Sequence, residues 1–264
     1  MNFELKTLSL SDAAAHKCDL LVLLVPDGFK PQADALSVLA ARAIKDGDLE
    51  LKPGKLLPLY GVPGIAARRL VLLGCGKGSA QAVRQAVQAL GATLKAPSVR
   101  RVALVFARDA EAGCVGAAVR ALADASYVYT TTKPKADARA LSRVTVGVPG
   151  GLETARPEFS TSVALVAGIE YAREWGNRPA NHATPTLVGD AAKALAADVS
   201  KMVADGGGQA VVDTVGGCKL TAKADGGKVT FTDENGNAAT VTIADVIQSN
   251  GVIHVIDKVL LPKM

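Results

Sequence analysis

The chain has 264 residues, 49% of them hydrophobic, with a formal net charge of +5 at neutral pH. That length admits one large domain or two smaller ones, each with a packed core. No apolar run approaches the ~20 residues needed to cross a bilayer, so a membrane partner is not expected. Four cysteines (Cys18, Cys75, Cys114, Cys218) are scattered without a CxxC pair, which predicts reduced, buried thiols and no disulfide framework.

The first part of the chain alternates strand and helix signals. Phe3 to Leu10 and Leu20 to Val25 are apolar runs of strand length. The second comes after Glu4, Lys6, Asp12, Lys17 and Asp19, which predicts a buried strand, not a signal peptide, and with it a cytoplasmic location. Gln32 to Lys45 has helical spacing at Leu36, Leu39, Ala40 and Ile44; Lys55 to Tyr60 and Arg69 to Leu73 are strands. After Gly74-Cys75-Gly76-Lys77-Gly78, Ser79 caps a helix expected to reach about Lys95. Next come a strand at Arg101 to Phe106, a helix at Glu111 to Ala125, a strand at Arg143 to Val148 and a helix from Pro157 to Trp175. A further helix opens at Pro185 after Thr184. Strands alternating with helices of this length predict an α/β sheet covered on both faces.

Beyond Asp205 the pattern changes. Gly206-Gly207-Gly208, Gly216-Gly217, Gly226-Gly227 and Asn235-Gly236 separate short segments that alternate at period two, such as Lys228 to Thr232 and Thr240 to Ile243. Asn-Gly and Gly-Gly between such segments predict hairpins. Charge divides in the same region: residues 1–197 hold 24 Lys+Arg against 17 Asp+Glu, whereas residues 198–264 hold 6 against 8, with no arginine after Arg178. The two parts read as different proteins.

Residues 1 to about 195 resemble the leucyl aminopeptidase family. The resemblance rests on Tyr171 to Pro185 (YAREWGNRPANHATP), which is similar to that family's Asn-x-Pro-x-Asn-x-x-Thr-Pro segment, and on the strand and helix order of residues 1–150. It implies a macro-like three-layer sandwich over 1–155, then linker helices and the start of a peptidase domain over 156–197. Asn177 and Asn181 satisfy backbone groups at a helix end, while Pro179 and Pro185 stop and start helices.

The resemblance also implies two divalent metals, zinc or manganese, held by carboxylates, with a lysine and an arginine in the site. Those ligands lie downstream, in segments resembling Gly-Lys-Gly-x-x-Phe-Asp-x-Gly-Gly and Asn-Thr-Asp-Ala-Glu-Gly-Arg, and neither pattern occurs here. The acids after Asn181 are Asp190, Asp198, Asp205, Asp213, Asp225, Asp233, Glu234, Asp245 and Asp257, most beside glycines or on exposed strand positions. No catalytic, cofactor or metal residue carries over, and Lys77 belongs to the front domain.

Residues from about 197 to 264 resemble the C-terminal half of a fasciclin domain. Ser249 to Pro262 (SNGVIHVIDKVLLP), preceded by Thr240 to Gln248 (TVTIADVIQ), is similar to that family's closing signature. The whole then reads as an α/β sandwich with a linking helix, joined between Leu195 and Val199 to a partial antiparallel β (fasciclin-like) domain over 198–264. The resemblance implies adhesion. Half of such a domain leaves strand edges unpaired, so residues 198–264 are expected to be loosely ordered or to drive homo-oligomerisation.

Four other groups point to structural roles. The Gly74–Gly78 loop comes after a strand and precedes a helix, where phosphate or ADP-ribose binding loops sit, but it matches neither GxGxxG nor GK[ST] spacing and reads as a turn. His182 and His254 have no Cys or His at metal-ligand spacing. Ser160, Thr161 and Ser162 have no nearby His and Asp to form a nucleophilic set. Arg68-Arg69, Arg100-Arg101 and Lys133-Pro134-Lys135 lack interleaved aromatics and read as charged turns, so nucleic acid is not expected as a partner.

Overall fold

The computed structural model describes residues 1–133, 135–205, 209–213, 219–225, 228–248, 251–258 and 260. The chain forms two units, Met1–Ala172 and Arg173–Met264.

In the first unit, strand β1 (Asn2–Thr7) stops two residues before helix α1 (Leu10–Ala15). The expected strand from Phe3 to Leu10 is therefore divided. Ser9 turns the chain by accepting a hydrogen bond on Oγ from the N–H of Asp12 at 3.1 Å, an N-cap that ends one element and starts the next. Strand β2 (Leu20–Val25) is buried at all six positions, as a central strand covered on both faces must be. Helix α2 (Ala35–Lys45) opens on the Asp34 carboxylate, which accepts from the N–H of Ser37 at 2.9 Å.

Strands β3 (Leu56–Tyr60) and β4 (Arg69–Gly74) pair antiparallel, with Pro58 on the edge strand where a missing N–H is tolerated. Helix α3 (Ala80–Gln88) is capped by Ser79 as expected, but it stops short of Lys95. A four-residue helix α4 (Gly91–Leu94) comes after the break, which falls beside Gly91, a residue costly in a helix interior.

Strand β5 (Arg101–Phe106), helix α5 (Cys114–Ser126) and strand β6 (Arg143–Val148) complete the sheet. Its order is β1-β6-β5-β2-β4-β3, parallel except for β3. Alternate strand residues feed two cores. Val22, Leu24, Val71, Leu104 and Val146 pack with Val87 and Leu90 of the α3 side and Leu122 of α5. Leu21, Leu23, Leu72 and Val105 pack with Ala13 of α1 and Leu36 and Ala40 of α2. Three layers result.

Helix α6 (Leu152–Gly176) starts five residues ahead of Pro157, which lies inside it. Its Phe159, Val163 and Val166 pack on the first core, so the front unit continues past residue 155 to Ala172.

In the second unit, a short 3-10 turn (Ala180–His182) precedes helix α7 (Pro185–Asp205), whose N-terminus is capped by Thr184 Oγ1 accepting from the Leu187 N–H at 3.3 Å. The helix runs unbroken through 195–199. Strands β7 (Gln209–Asp213), β8 (Lys219–Asp225), β9 (Lys228–Thr232), β10 (Ala238–Gln248) and β11 (Gly251–Ile256) form an antiparallel sheet in the order β11-β10-β9-β8-β7. The Asn235-Gly236 signal is a true hairpin turn: Asp233 Oδ1 accepts from the N–H groups of Asn235 (2.9 Å) and Asn237 (2.8 Å), and Gly236 takes φ +84°. Among the described residues no helix is long and apolar enough to cross a membrane.

Candidate functional site

Parallel strands gather their carboxyl ends at one side of the front sheet, and ligands of open α/β sheets bind where neighbouring connections leave opposite faces. Here β2 leads to α2 on one face and its neighbour β4 leads to α3 on the other. The crevice between them holds a cavity of ≈ 360 Å³, lined by Asp27, Lys52, Gly76, Lys77, Ser79 and Gln85 among others.

The glycine loop at its rim is built as a turn. Cys75 N–H donates to Val25 O (3.0 Å), Gly76 N–H to Leu51 O (2.7 Å) and Gly78 N–H to Cys75 O (2.9 Å). A phosphate cradle needs such donors free and aimed outward. Ser79 Oγ is likewise used, accepting from the Ala82 N–H at 3.3 Å. Gly74 is required for packing: a Cβ there would stand 2.5 Å from Glu50 O and 2.8 Å from Leu51 O. Lys77 has its own carbonyl held by Arg108 at 3.0 Å.

Three thiols lie inside the front unit. Burial pushes Cys18 up to about 11, Cys75 to about 12 and Cys114 to about 11, because a thiolate loses its hydration there. Such thiols are protonated at neutral pH and poor nucleophiles. Cys114 Sγ donates to Gly78 O at 3.1 Å, another tie on the loop. Cys218 lies outside the described residues. Burial, with Lys6 next in effect, lowers the pKa of His16, so the neutral ring is favoured.

Ser162 is fully buried and its Oγ accepts from Arg120 Nη1 at 2.7 Å. It ties α6 to α5.

In the second unit three of the described carboxylates sit on backbone groups. Glu234 accepts from the Lys219 N–H (3.0 Å) and Asp257 from the Thr240 N–H (2.7 Å), while Asp233 holds its own hairpin turn and Asp190 is exposed on α7. Among the described residues no three His, Cys, Asp or Glu side chains come together as a metal group. The described side chains do not fit a dinuclear centre, which needs carboxylates converging on one point. In the segment 175–185, Arg178 stacks over the Trp175 ring at 3.9 Å, Asn177 N–H donates to Arg173 O at 2.9 Å, and His182 N–H donates to Pro179 O at 2.8 Å. These contacts shape the chain between helices. The side chain of His254 lies outside the described residues.

Residues 24–136 match the model of the cytosol aminopeptidase family's N-terminal domain, and residues 191–262 match the fasciclin domain. The front of this chain is similar to the N-terminal domain of the cytosol aminopeptidases. A probable cytosol aminopeptidase of Acidovorax sp. (strain JS42) is 66% identical over 196 residues, covering 74% of this chain and 39% of that protein. One from Verminephrobacter eiseniae is 63% identical over 195 residues, covering 74% and 37%. The chain thus spans about two fifths of the length of these curated relatives. A tomato leucine aminopeptidase mutant shares the fold at a TM-score of 0.59 and 17% identity, covering 89% of this chain and 51% of that one. The bottromycin maturation enzyme BotP, solved in complex with Mn, matches at a TM-score of 0.51 and 17% identity, covering 81% and 45%.

Proposed function

We propose that this chain is an aminopeptidase-family front domain that does not hydrolyse peptides itself. The carrying observation lies in the second unit, beyond the linking helices. Residues 191–262 match a fasciclin domain, and their described carboxylates serve as caps and turn ligands instead of converging on a metal pair. Support also comes from the sequence, which holds neither carboxylate-rich segment of the leucyl aminopeptidases. Equilibrium dialysis of the full chain against manganese or zinc tests this. Two tightly held ions per chain would contradict it; only weak, non-stoichiometric binding agrees. The relatives' description as cytosol aminopeptidases supports a cytoplasmic location for the front domain.

A second reading, association or adhesion through the β unit, is supported by one feature. Strands β7 and β11 stand at the two edges of their sheet, and Val211 on β7 is 59% exposed. Nucleotide or ADP-ribose binding at the front domain draws less support, since the N–H groups of Cys75, Gly76 and Gly78 already face protein carbonyls.

A further inference from the structure

A parallel sheet collects strand beginnings at one end, and in this chain three of the five parallel strands begin with an arginine. Arg69 opens β4, Arg101 opens β5 and Arg143 opens β6, with Arg68 and Arg100 one residue ahead of the first two. Arg101 and Arg143 are register partners on adjacent strands. From β6 through β5 and β2 to β4 is three inter-strand steps, about 14 Å at ~4.8 Å each. Arg68, Arg100, Arg101 and Arg143 are exposed, as is Lys17 just ahead of β2.

The acid placed among them is already used. Asp19 Oδ2 accepts from the backbone N–H groups of Arg100 (3.1 Å) and Arg101 (2.9 Å), and its other oxygen lies 3.7 Å from the Arg101 guanidinium. The antiparallel partner strand adds an aromatic that the linear sequence does not place there. Tyr60 is the register partner of Arg69, its side chain is 71% exposed, and the Arg69 guanidinium sits 6.0 Å from its ring centroid. Arg69 is further fixed by donating to Ser98 Oγ at 2.9 Å.

We infer that this end of the front sheet binds single-stranded nucleic acid, with guanidiniums on successive phosphates and Tyr60 stacked on a base. Repeated single positive charges in a line match a phosphodiester backbone, and an exposed ring beside them is the usual base platform. An acidic protein segment would use the arginines and leave Tyr60 idle.

The test uses the full chain and a fluorescein-labelled oligothymidylate, read by anisotropy over a series of salt concentrations. Binding should weaken as salt rises, and R69Q/R101Q/R143Q should reduce the log–log salt slope by about 2, at ~0.7 per phosphate contact. Tyr60→Ala should weaken oligothymidylate binding about tenfold while leaving its salt slope unchanged. Circular dichroism melts confirm that each variant folds. The inference is overturned if no binding occurs at low salt, or if the arginine variant binds as the parent does. Tyr60→Ala binding that matches the parent, with equal competition by polyglutamate, overturns it in favour of an acidic protein partner.

Discussion

Glu158 accepts a hydrogen bond from the N–H of Gly113 at 3.1 Å, 45 residues earlier in the chain. Its other carboxylate oxygen takes the N–H of Gly116. Helix α5 has Gly113 at its N-cap and so no capping side chain of its own. A carboxylate on α6 supplies the cap and meets the positive end of the α5 dipole. Glu158→Ala should therefore cost about 1–2 kcal/mol, the range for loss of a helix cap. Gly116→Ala should also destabilise, because its Cβ would stand 2.8 Å from Glu158 Oε1 and press on Ser162 Oγ. Urea unfolding monitored by circular dichroism reads both, and amide exchange in α5 should accelerate in each variant.

Gly74→Ala should be the more damaging glycine replacement. The atoms it would strike belong to the Glu50–Leu51 backbone, which has no rotamer to adjust. A loss of about 3 kcal/mol, the upper range for overpacking, is expected. Unfolding midpoints of the variant and parent measure it.

The three buried thiols make alkaline stability predictable in sign. Each is protonated more readily in the folded chain than in the unfolded one, from an ordinary value of 9.0 up to about 11 or 12. Their contribution is fully present below pH 9 and is lost as pH rises through the folded values, because the unfolded state releases its protons first. Stability should fall from pH 9 towards pH 11, and replacing Cys75 by Ser should reduce that dependence. At pH 8 iodoacetamide, with peptide mass spectrometry as the readout, should label Cys18, Cys75 and Cys114 slowly until denaturant is added.

Much of the front fold is legible in the sequence because period and burial coincide. Leu20 to Val25, Arg101 to Phe106 and Arg143 to Val148 are strands with the expected bounds, and Ser79 caps its helix. Helix α1 is hidden because Leu8 and Leu10 extend the apolar run of β1, and the Ser9–Asp12 cap is the signal that separates them. The α5 cap is illegible for a different reason. Gly113 looks uncapped in sequence, and its partner Glu158 becomes a neighbour only when α6 packs on α5. The arginine row shows in sequence only as scattered turns, since gathering it requires the parallel strand order. Missing motifs argue in the sequence against a peptidase site, and the positions of Glu234 and Asp257 on the N–H groups of Lys219 and Thr240 are not legible there because those partners lie 15 and 17 residues away.

Among the described residues β7 and β11 are the end strands of their sheet, a position that supports concentration-dependent self-association. Sedimentation velocity over a hundredfold concentration range should show species larger than one chain, and Val211→Lys should shift the distribution towards monomer. A single monomeric species at every concentration, with uniformly strong amide protection across the β unit, would contradict this.

Turnover of a leucyl chromogenic amide by the purified full chain, with manganese or zinc added, is the most direct measurement of the central claim. The expected rate is that of buffer and metal alone, with or without chelator. A rate above that background, abolished by chelator and copurifying with the chain, would show that these residues assemble a working metal site after all.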